Sequence, residues 1–146
     1  MNNKKLKILL VDDDEFIKIL FRDIFWIHDF KKIYEVSTID NLSKAKEIIK
    51  NKELCPDVIF LDLNLNGPKM GNFSLEENKS LNFLKDLKND IKTKDITIII
   101  FSGYDDKNLI KKAKESGADE YLVKGEFLPQ DLIKITENIL SKTKKS

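Results

Sequence analysis

Four short runs of apolar residues stand out along the chain, and each leads into a polar side chain. They occupy residues 8–11, 58–61, 96–101 and 121–123. Runs of this length that are apolar at nearly every position are typical of strands buried on both faces of a parallel sheet. A less apolar stretch at 33–38 indicates one more strand, placed second in the chain. The strand closest to the middle of the chain follows Pro56, which breaks the preceding segment.

Between these strands, apolar residues recur every three or four positions, which predicts amphipathic helices. The first helix begins at Asp14 and Glu15 and ends near His28. Its apolar series is Ile17, Leu20, Phe21, Ile24 and Ile27. Asp40 is predicted to cap the second helix, whose buried face is Leu42, Ala45, Ile48 and Ile49. Leu81, Phe83, Leu84 and Leu87 mark the third, and Leu109, Ile110 and Ala113 the fourth.

The fourth helix is predicted over 105–116, with Gly117 as its stop, and Pro129 lies near the start of a fifth. Residues 142–146 are predicted to be a frayed tail. Five strands alternating with five helices predict a doubly wound α/β fold in a single domain, with a core of about 6–141.

One connection breaks this rhythm. Residues 66–79 separate the central strand from its helix, and they are roughly ten residues longer than the usual strand-to-helix connection. Their glycine, proline and asparagine content predicts a loop. A functional loop over the site and a tolerated surface insertion remain equally good interpretations.

The polar residues at the strand ends carry the candidate chemistry. In open parallel sheets, functional groups gather beyond the carboxyl ends of the strands. This fold would therefore bring together Asp12, Asp13, Asp62, Ser102 and Lys124. Magnesium prefers oxygen ligands, takes one or two carboxylates and shares phosphate oxygens, so the acids suit a magnesium site. A lysine and a hydroxyl beside it suit a transferring phosphoryl group.

Among the three acids, Asp62 is the best candidate nucleophile, because a strand end presents it alone in the middle of the sheet. An aspartate in that role forms an aspartyl phosphate. Asp12 and Asp13 are neighbours and suit metal binding better. Taken alone, residues 12–14 would favour a helix-capping cluster, and Lys124 would be one surface lysine among many.

Composition narrows the class of protein. The 146 residues include 26 Lys and Arg and 25 Asp and Glu, a net charge of +1, which gives no electrostatic case for direct binding to nucleic acid. A single cysteine, Cys55, excludes an internal disulfide and a multi-cysteine metal site. No apolar run reaches transmembrane length, and the N-terminus does not resemble a secretory signal, so a cytoplasmic location is expected. The single tryptophan, Trp26, is interpreted as a packing residue or part of an interface.

Four segments, in order along the chain, resemble the receiver domain of a two-component response regulator. They are residues 8–14 (ILLVDDD), 56–64 (PDVIFLDLN), 101–103 (FSG) and 117–124 (GADEYLVK). The resemblance covers nearly the whole chain. It implies a flavodoxin-like fold of five parallel strands in the order 2-1-3-4-5.

The resemblance also implies a role for each residue of the site. Asp62 would be the phosphoacceptor, and Mg²⁺ would be held by Asp12, Asp13, Asp62 and the backbone carbonyl of Asn64. Ser102 would be the switch hydroxyl, Lys124 the phosphate-binding lysine and Tyr121 the rotating aromatic. The phosphoryl donor would be a histidine kinase or a phosphotransfer protein.

Two departures from the family pattern concern the loops. The family usually places proline, often with a cis bond, directly after the lysine, whereas Gly125 follows Lys124 here and Pro129 comes later. The family also has only a short loop where residues 66–79 lie.

Three functions are weighed. The leading hypothesis is a stand-alone phosphorylation switch, not an enzyme with an external substrate. Such a switch is expected to have no output domain, and it would change partner binding, including formation of a homodimer, through the fourth helix, fifth strand and fifth helix. An aspartate-nucleophile phosphatase is the second, although such enzymes carry an acid where Asn64 stands. A degenerate receiver acting as an unphosphorylated scaffold is the third, and the complete set of acids, hydroxyl and lysine argues against it.

Overall fold

Strands and helices alternate through the described part of the chain. The structure is a computed structural model, and it describes residues 4–65 and 78–143. The strands are β1 (Leu6–Val11), β2 (Tyr34–Ile39), β3 (Val58–Leu61), β4 (Thr97–Ser102) and β5 (Glu120–Val123). The helices are α1 (Glu15–His28), α2 (Leu42–Lys50), α3 (Lys79–Asn89), α4 (Lys107–Glu115) and α5 (Leu132–Thr143), and a 3₁₀ turn at Pro129–Asp131 precedes α5. In this part of the chain no helix is long and apolar enough to cross a bilayer.

All the strands join one parallel sheet in the order β2-β1-β3-β4-β5, which confirms the predicted fold class. Its register aligns the strand ends, because Val11 lies opposite both Ile39 and Leu61. The first residue beyond each strand continues this alignment: the Asp62 N–H donates to the Val11 carbonyl at 3.0 Å. The polar residues that follow the strands therefore reach the same edge.

The sheet separates two apolar cores. On one face, Ile98 and Ile100 of β4 pack into a core built with α2, α3 and α4. On the other face, Ile99 and Phe101 pack into a core built with α1 and α5. All four residues of β3 are buried, because both faces of this strand are covered. This explains its uninterrupted apolar sequence.

One local prediction, the cap of the second helix, is wrong. The cap of α2 is Asn41, whose side chain accepts a hydrogen bond from the Lys44 N–H at 2.9 Å, and Asp40 instead faces the Lys44 ammonium at 3.5 Å. In α1, Leu20 and Ile27 are exposed although they share the apolar series. Phe25 is buried in their place, because α1 carries apolar residues on most of its circumference and the sequence does not set its orientation.

The connection after β3 ends at a well-defined cap. Residues 66–77 of the predicted loop lie outside the described residues. Asn78 caps α3 by accepting from the Leu81 N–H at 2.8 Å, and its side-chain amide donates to the Leu63 carbonyl at 2.7 Å. Helix α3 thus begins at Lys79, inside the segment that was predicted to be a loop. Helix α5 likewise includes Lys142, which was predicted to belong to a frayed tail.

Gly117 ends α4 as predicted, and for a clear steric reason. Its φ of +113° lies in the left-handed region, and a Cβ there would stand 2.7 Å from Cγ of Lys88. The Lys88 ammonium is itself fixed, because it donates to the Ile96 carbonyl and to Asp119, each at 2.8 Å. Glycine therefore lets the turn between α4 and β5 approach α3.

Candidate functional site

Three carboxylates meet at the carboxyl edge of the sheet. Asp12 and Asp13 follow β1 and Asp62 follows β3, and each offers an oxygen within 4.8 Å of those of the other two. Asp12 is completely buried and Asp62 is 6% exposed. The third consecutive acid, Asp14, is separate in role, because its side chain caps α1 by accepting from the Phe16 N–H at 2.9 Å. Helix capping therefore accounts for Asp14 and leaves the other acids facing the site.

The Lys124 ammonium lies between the carboxylates. It is 2.6 Å from Oδ2 of Asp12 and 3.7 Å from Oδ1 of Asp62. Its backbone N–H donates to the Ser102 carbonyl at 2.7 Å, which anchors the residue beside the end of β4. The ammonium also stands 5.5 Å from the centroid of the Phe101 ring, within the range of a cation–π contact. Lys124 is thus positioned at the site by four separate contacts.

Burial raises the pKa of Asp62 to about 6. The nearby Lys124 ammonium opposes this rise, whereas the Asp12 carboxylate adds to it. A carboxylate in this position is costly to ionise unless positive charge balances it. The site therefore favours a cation at the acidic cluster.

The end of β4 is linked to the neighbouring strand through Tyr104. The buried Ser102 hydroxyl oxygen accepts from the Tyr104 N–H at 3.1 Å. The Tyr121 hydroxyl, in turn, donates to the Tyr104 carbonyl at 2.7 Å. Burial raises the pKa of Tyr121, and the nearby Ser102 hydroxyl opposes that rise. The Tyr121 side chain thus lies inward, and the backbone of Tyr104 connects it to Ser102.

Tyr104 also reaches the residue after the central strand. The Asn64 side-chain amide donates to the Tyr104 hydroxyl at 3.4 Å, and the Asn64 N–H donates to Oδ1 of Asp62 at 3.3 Å. Sequence reasoning did not single out Tyr104. The available signal was an aromatic residue two positions after the polar end of a strand.

A family model described as "Response regulator receiver domain" matches residues 8–137. The chain belongs to the response regulator receiver family. This receiver is 28% identical over 118 residues to "Sporulation initiation phosphotransferase F" of Bacillus subtilis (strain 168), with 81% of each protein covered. The chain is therefore a receiver domain of a two-component phosphorelay. Proteins of this family are phosphoproteins that bind Mg²⁺.

Solved receiver structures share its fold. A putative response regulator from Chloroflexus aurantiacus J-10-fl superimposes with a TM-score of 0.72 at 25% identity, covering 94% of this chain and 99% of that one. The Mn(2+)-bound form of response regulator Rcp1 gives a TM-score of 0.66 at 23% identity, covering 93% and 92%.

The acidic cluster of the receiver fits a divalent cation. Three carboxylates contribute oxygens close enough to share one ion, and hard cations such as Mg²⁺ take oxygen ligands. The backbone carbonyl of Asn64 stays a predicted ligand, whereas its N–H and side chain have the contacts given above.

The loop after Lys124 lacks the proline that the family usually has there, and it contains no cis peptide bond. No cis peptide occurs in residues 4–65 and 78–143, and Gly125 turns the chain with a φ of +87°. Phe127 then packs its ring 6.1 Å from that of Phe101, the same ring that faces the lysine. Glycine and an aromatic contact form this turn, and Pro129 begins the 3₁₀ turn before α5.

Proposed function

We propose that this receiver is a phosphorylation-dependent switch whose phosphoacceptor is Asp62. The supporting observation is the position of this carboxylate, buried at the end of β3 beside two further acids and within 3.7 Å of the Lys124 ammonium. The donor is a phosphohistidine of a histidine kinase or a phosphotransfer protein. An oxygen of Asp62 forms the new bond to phosphorus while the phosphorus–nitrogen bond breaks, and the imidazole nitrogen keeps the electron pair. The relative named as a phosphotransferase supports this chemistry.

Mg²⁺ is the proposed cofactor. Asp12, Asp13, Asp62 and the Asn64 backbone carbonyl would hold it, and the bound form of Rcp1 shows that a receiver of this fold accepts a divalent ion. When bound, the ion neutralises charge on the phosphoryl oxygens. The chain's own contribution is to orient the Asp62 oxygen through the Asn64 N–H and to keep it largely shielded from water.

Lys124 and Ser102 respond to the added group. An aspartyl phosphate brings negative charge and three acceptor oxygens to the strand edge. In the proposal, Lys124 exchanges part of its contact with Asp12 for these oxygens. The Ser102 hydroxyl turns toward them and weakens its bond with the Tyr104 N–H. Since Tyr104 also holds the Tyr121 hydroxyl, a change at Ser102 reaches β5 through two hydrogen bonds.

The proposed output is the surface formed by α4, β5 and α5. A phosphoryl group shifts an equilibrium between two conformations only through contacts that differ between them, and the Ser102 and Lys124 contacts provide that difference. Protein partners, or a second phosphorylated copy, would bind this surface. The receiver then signals without turning over an external substrate, and the proposal places this signalling in the cytoplasm.

Intact mass spectrometry tests the acceptor. After incubation with acetyl phosphate and Mg²⁺, the wild type should gain one phosphoryl group, and Asp62→Asn or added EDTA should abolish the gain. Asp95→Asn, which changes an exposed aspartate far from the strand edge, is the matched control and should label normally. Full labelling of Asp62→Asn would assign the phosphoryl group to another residue.

Backbone NMR tests the proposed output surface. Titration with beryllofluoride and Mg²⁺ should shift resonances at residues 103–111, at Tyr121 and along α5. The shifts should shrink in Ser102→Ala. Shifts confined to the acidic edge would show that this coupling route is wrong even if Asp62 is the acceptor.

A further inference from the structure

The outward side of α1 carries large apolar side chains that nothing in the described chain covers. Phe16, Ile19, Trp26 and Ile27 are all more than half exposed, and Leu20 is partly so. Phe30 extends the surface beyond the end of the helix, with its ring 6.5 Å from that of His28. We call these six residues and the charged pair Arg22 and Asp23 the α1 outer face: Phe16, Ile19, Leu20, Arg22, Asp23, Trp26, Ile27 and Phe30.

The area of this face is large for a free surface. Trp26 is 76% exposed and Phe30 84%. With aromatic side chains of 150–250 Å² each and somewhat smaller aliphatic ones, the six apolar residues expose about 700 Å² together, close to the ~800 Å² per partner in a standard interface. The largest apolar patch of a typical monomer is smaller, at about 300–600 Å². The face is therefore of the size that a stable protein contact needs.

The charges at the centre of the face are opposite and adjacent. Arg22 and Asp23 are both exposed, and neither forms an ion pair with another described residue. Residues three, four and seven apart lie on one side of a helix, so Ile19 and Trp26 border this pair on the same stripe. Along the sequence, Ile19 and Trp26 are equally distant from the midpoint between Arg22 and Asp23.

The α1 outer face is complementary to the same face of a second copy whose α1 helix runs in the opposite direction. If two α1 helices pack antiparallel with a two-fold axis at that midpoint, each Ile19 meets the Trp26 of the other copy. Each Arg22 meets the Asp23 of the other copy, so both ion pairs form at once. Phe16 of one copy approaches Phe30 of the other. An isologous interface requires such self-complementarity.

We propose that the α1 outer face binds a second copy of this chain in an antiparallel α1–α1 contact. The balanced charges favour this occupant over a nucleic acid or another anion, which would need a surface of one sign. The contact is distinct from the proposed output surface on α4, β5 and α5, and it does not depend on phosphorylation.

Sedimentation velocity and fluorescence test the contact on the complete chain. Over a micromolar concentration series the wild type should pass from monomer to dimer. Trp26 is the single tryptophan, so its emission should shift to shorter wavelength over the same series as the ring leaves water. Ile19→Glu should raise the dissociation constant by about 10- to 100-fold, as expected for a charge placed in the centre of an interface.

A charge exchange tests the antiparallel register. Arg22→Asp gives two acids at the centre, and Asp23→Arg gives two bases, so each variant alone should remain monomeric. Mixed together, the two variants should form a heterodimer, because each Asp then meets an Arg of the other chain. The combined variant R22D/D23R should dimerise by itself. The register is decided by mixing the wild type with R22D/D23R: in the antiparallel contact like charges would meet, so each should pair only with itself, whereas in a parallel contact the two would pair with each other. A contact elsewhere would respond to none of these changes.

Ile91→Glu is the matched control, since Ile91 is 79% exposed on the turn after α3 and should not affect dimerisation. Circular dichroism spectra that match the wild type would show that each variant folds. The proposal is overturned if the wild type stays monomeric throughout the series. It is also overturned if the dimer survives Ile19→Glu, or if mixing the two charge variants restores nothing. A monomer that binds a different protein through this face would be equally contrary to it.

Discussion

Replacing the buried carboxylate of Asp62 by an amide should stabilise the metal-free protein. Folding raises the pKa of this group from its usual 3.8 to about 6, chiefly because burial disfavours the charged form. The folded chain therefore binds the proton more tightly than the unfolded chain. Stability is lost as the pH rises from the unfolded pKa through the folded one, and the full penalty applies above about pH 6. A shift of about two units corresponds to about 3 kcal/mol.

Asp62→Asn removes this penalty while keeping the shape of the side chain and an acceptor oxygen for the Asn64 N–H. In EDTA at pH 7.5, urea unfolding should give a free energy of unfolding about 3 kcal/mol higher for Asp62→Asn than for the wild type. Near pH 3.5 the difference should disappear, because both side chains are then neutral. Asp95→Asn should match the wild type at both pH values.

Excess Mg²⁺ should narrow the gap at pH 7.5, since the ion stabilises the wild type by binding its folded state. The reasoning is refuted if Asp62→Asn is no more stable than the wild type in EDTA at pH 7.5. It is refuted as well if the advantage persists unchanged at pH 3.5.

Three further substitutions test the supporting structure by urea unfolding. Lys124→Met should cost about 3 kcal/mol, because it leaves the fully buried Asp12 without its cation, whereas Lys114→Met breaks an exposed pair and should cost under about 1 kcal/mol. Equal losses would contradict a buried ion pair. Gly117→Ala should cost at least about 1 kcal/mol from its left-handed φ and from the lysine side chain beneath it, and an unchanged stability would refute that contact. Asn78→Ala should cost about 1–2 kcal/mol through loss of the α3 cap, and Asn78→Asp, which keeps the capping oxygen, should recover part of it.

Strand positions were predictable from the sequence because two-sided burial leaves an unbroken apolar signature. The runs ending at Asp62 and Ser102 place both groups at the carboxyl edge without knowledge of the pairing. The receiver resemblance supplied the strand order, which the structure confirms. These features depend on local sequence or on several motifs in a fixed order.

Features that depend on side-chain packing were beyond the sequence. Neighbouring polar residues compete as caps, so Asp40 was chosen where the backbone geometry selects Asn41. The 2.6 Å contact of Lys124 with Asp12 joins residues at opposite ends of the chain, and no local pattern encodes it. Tyr104 had no motif to identify it, because its backbone rather than its ring links Ser102 to β5.

The hydrogen bond from the Asn78 amide to the Leu63 carbonyl affects how far the connection between β3 and α3 can vary in length. It joins the two ends of the long β3–α3 connection at 2.7 Å, so α3 is held to the sheet by a contact that does not involve residues 66–77. The entropy of closing a flexible loop grows only with the logarithm of its length, and doubling the loop costs about 0.6 kcal/mol. Insertions and deletions within residues 66–77 should therefore change thermodynamic stability little, which makes this connection a suitable place to graft a foreign peptide or an affinity tag.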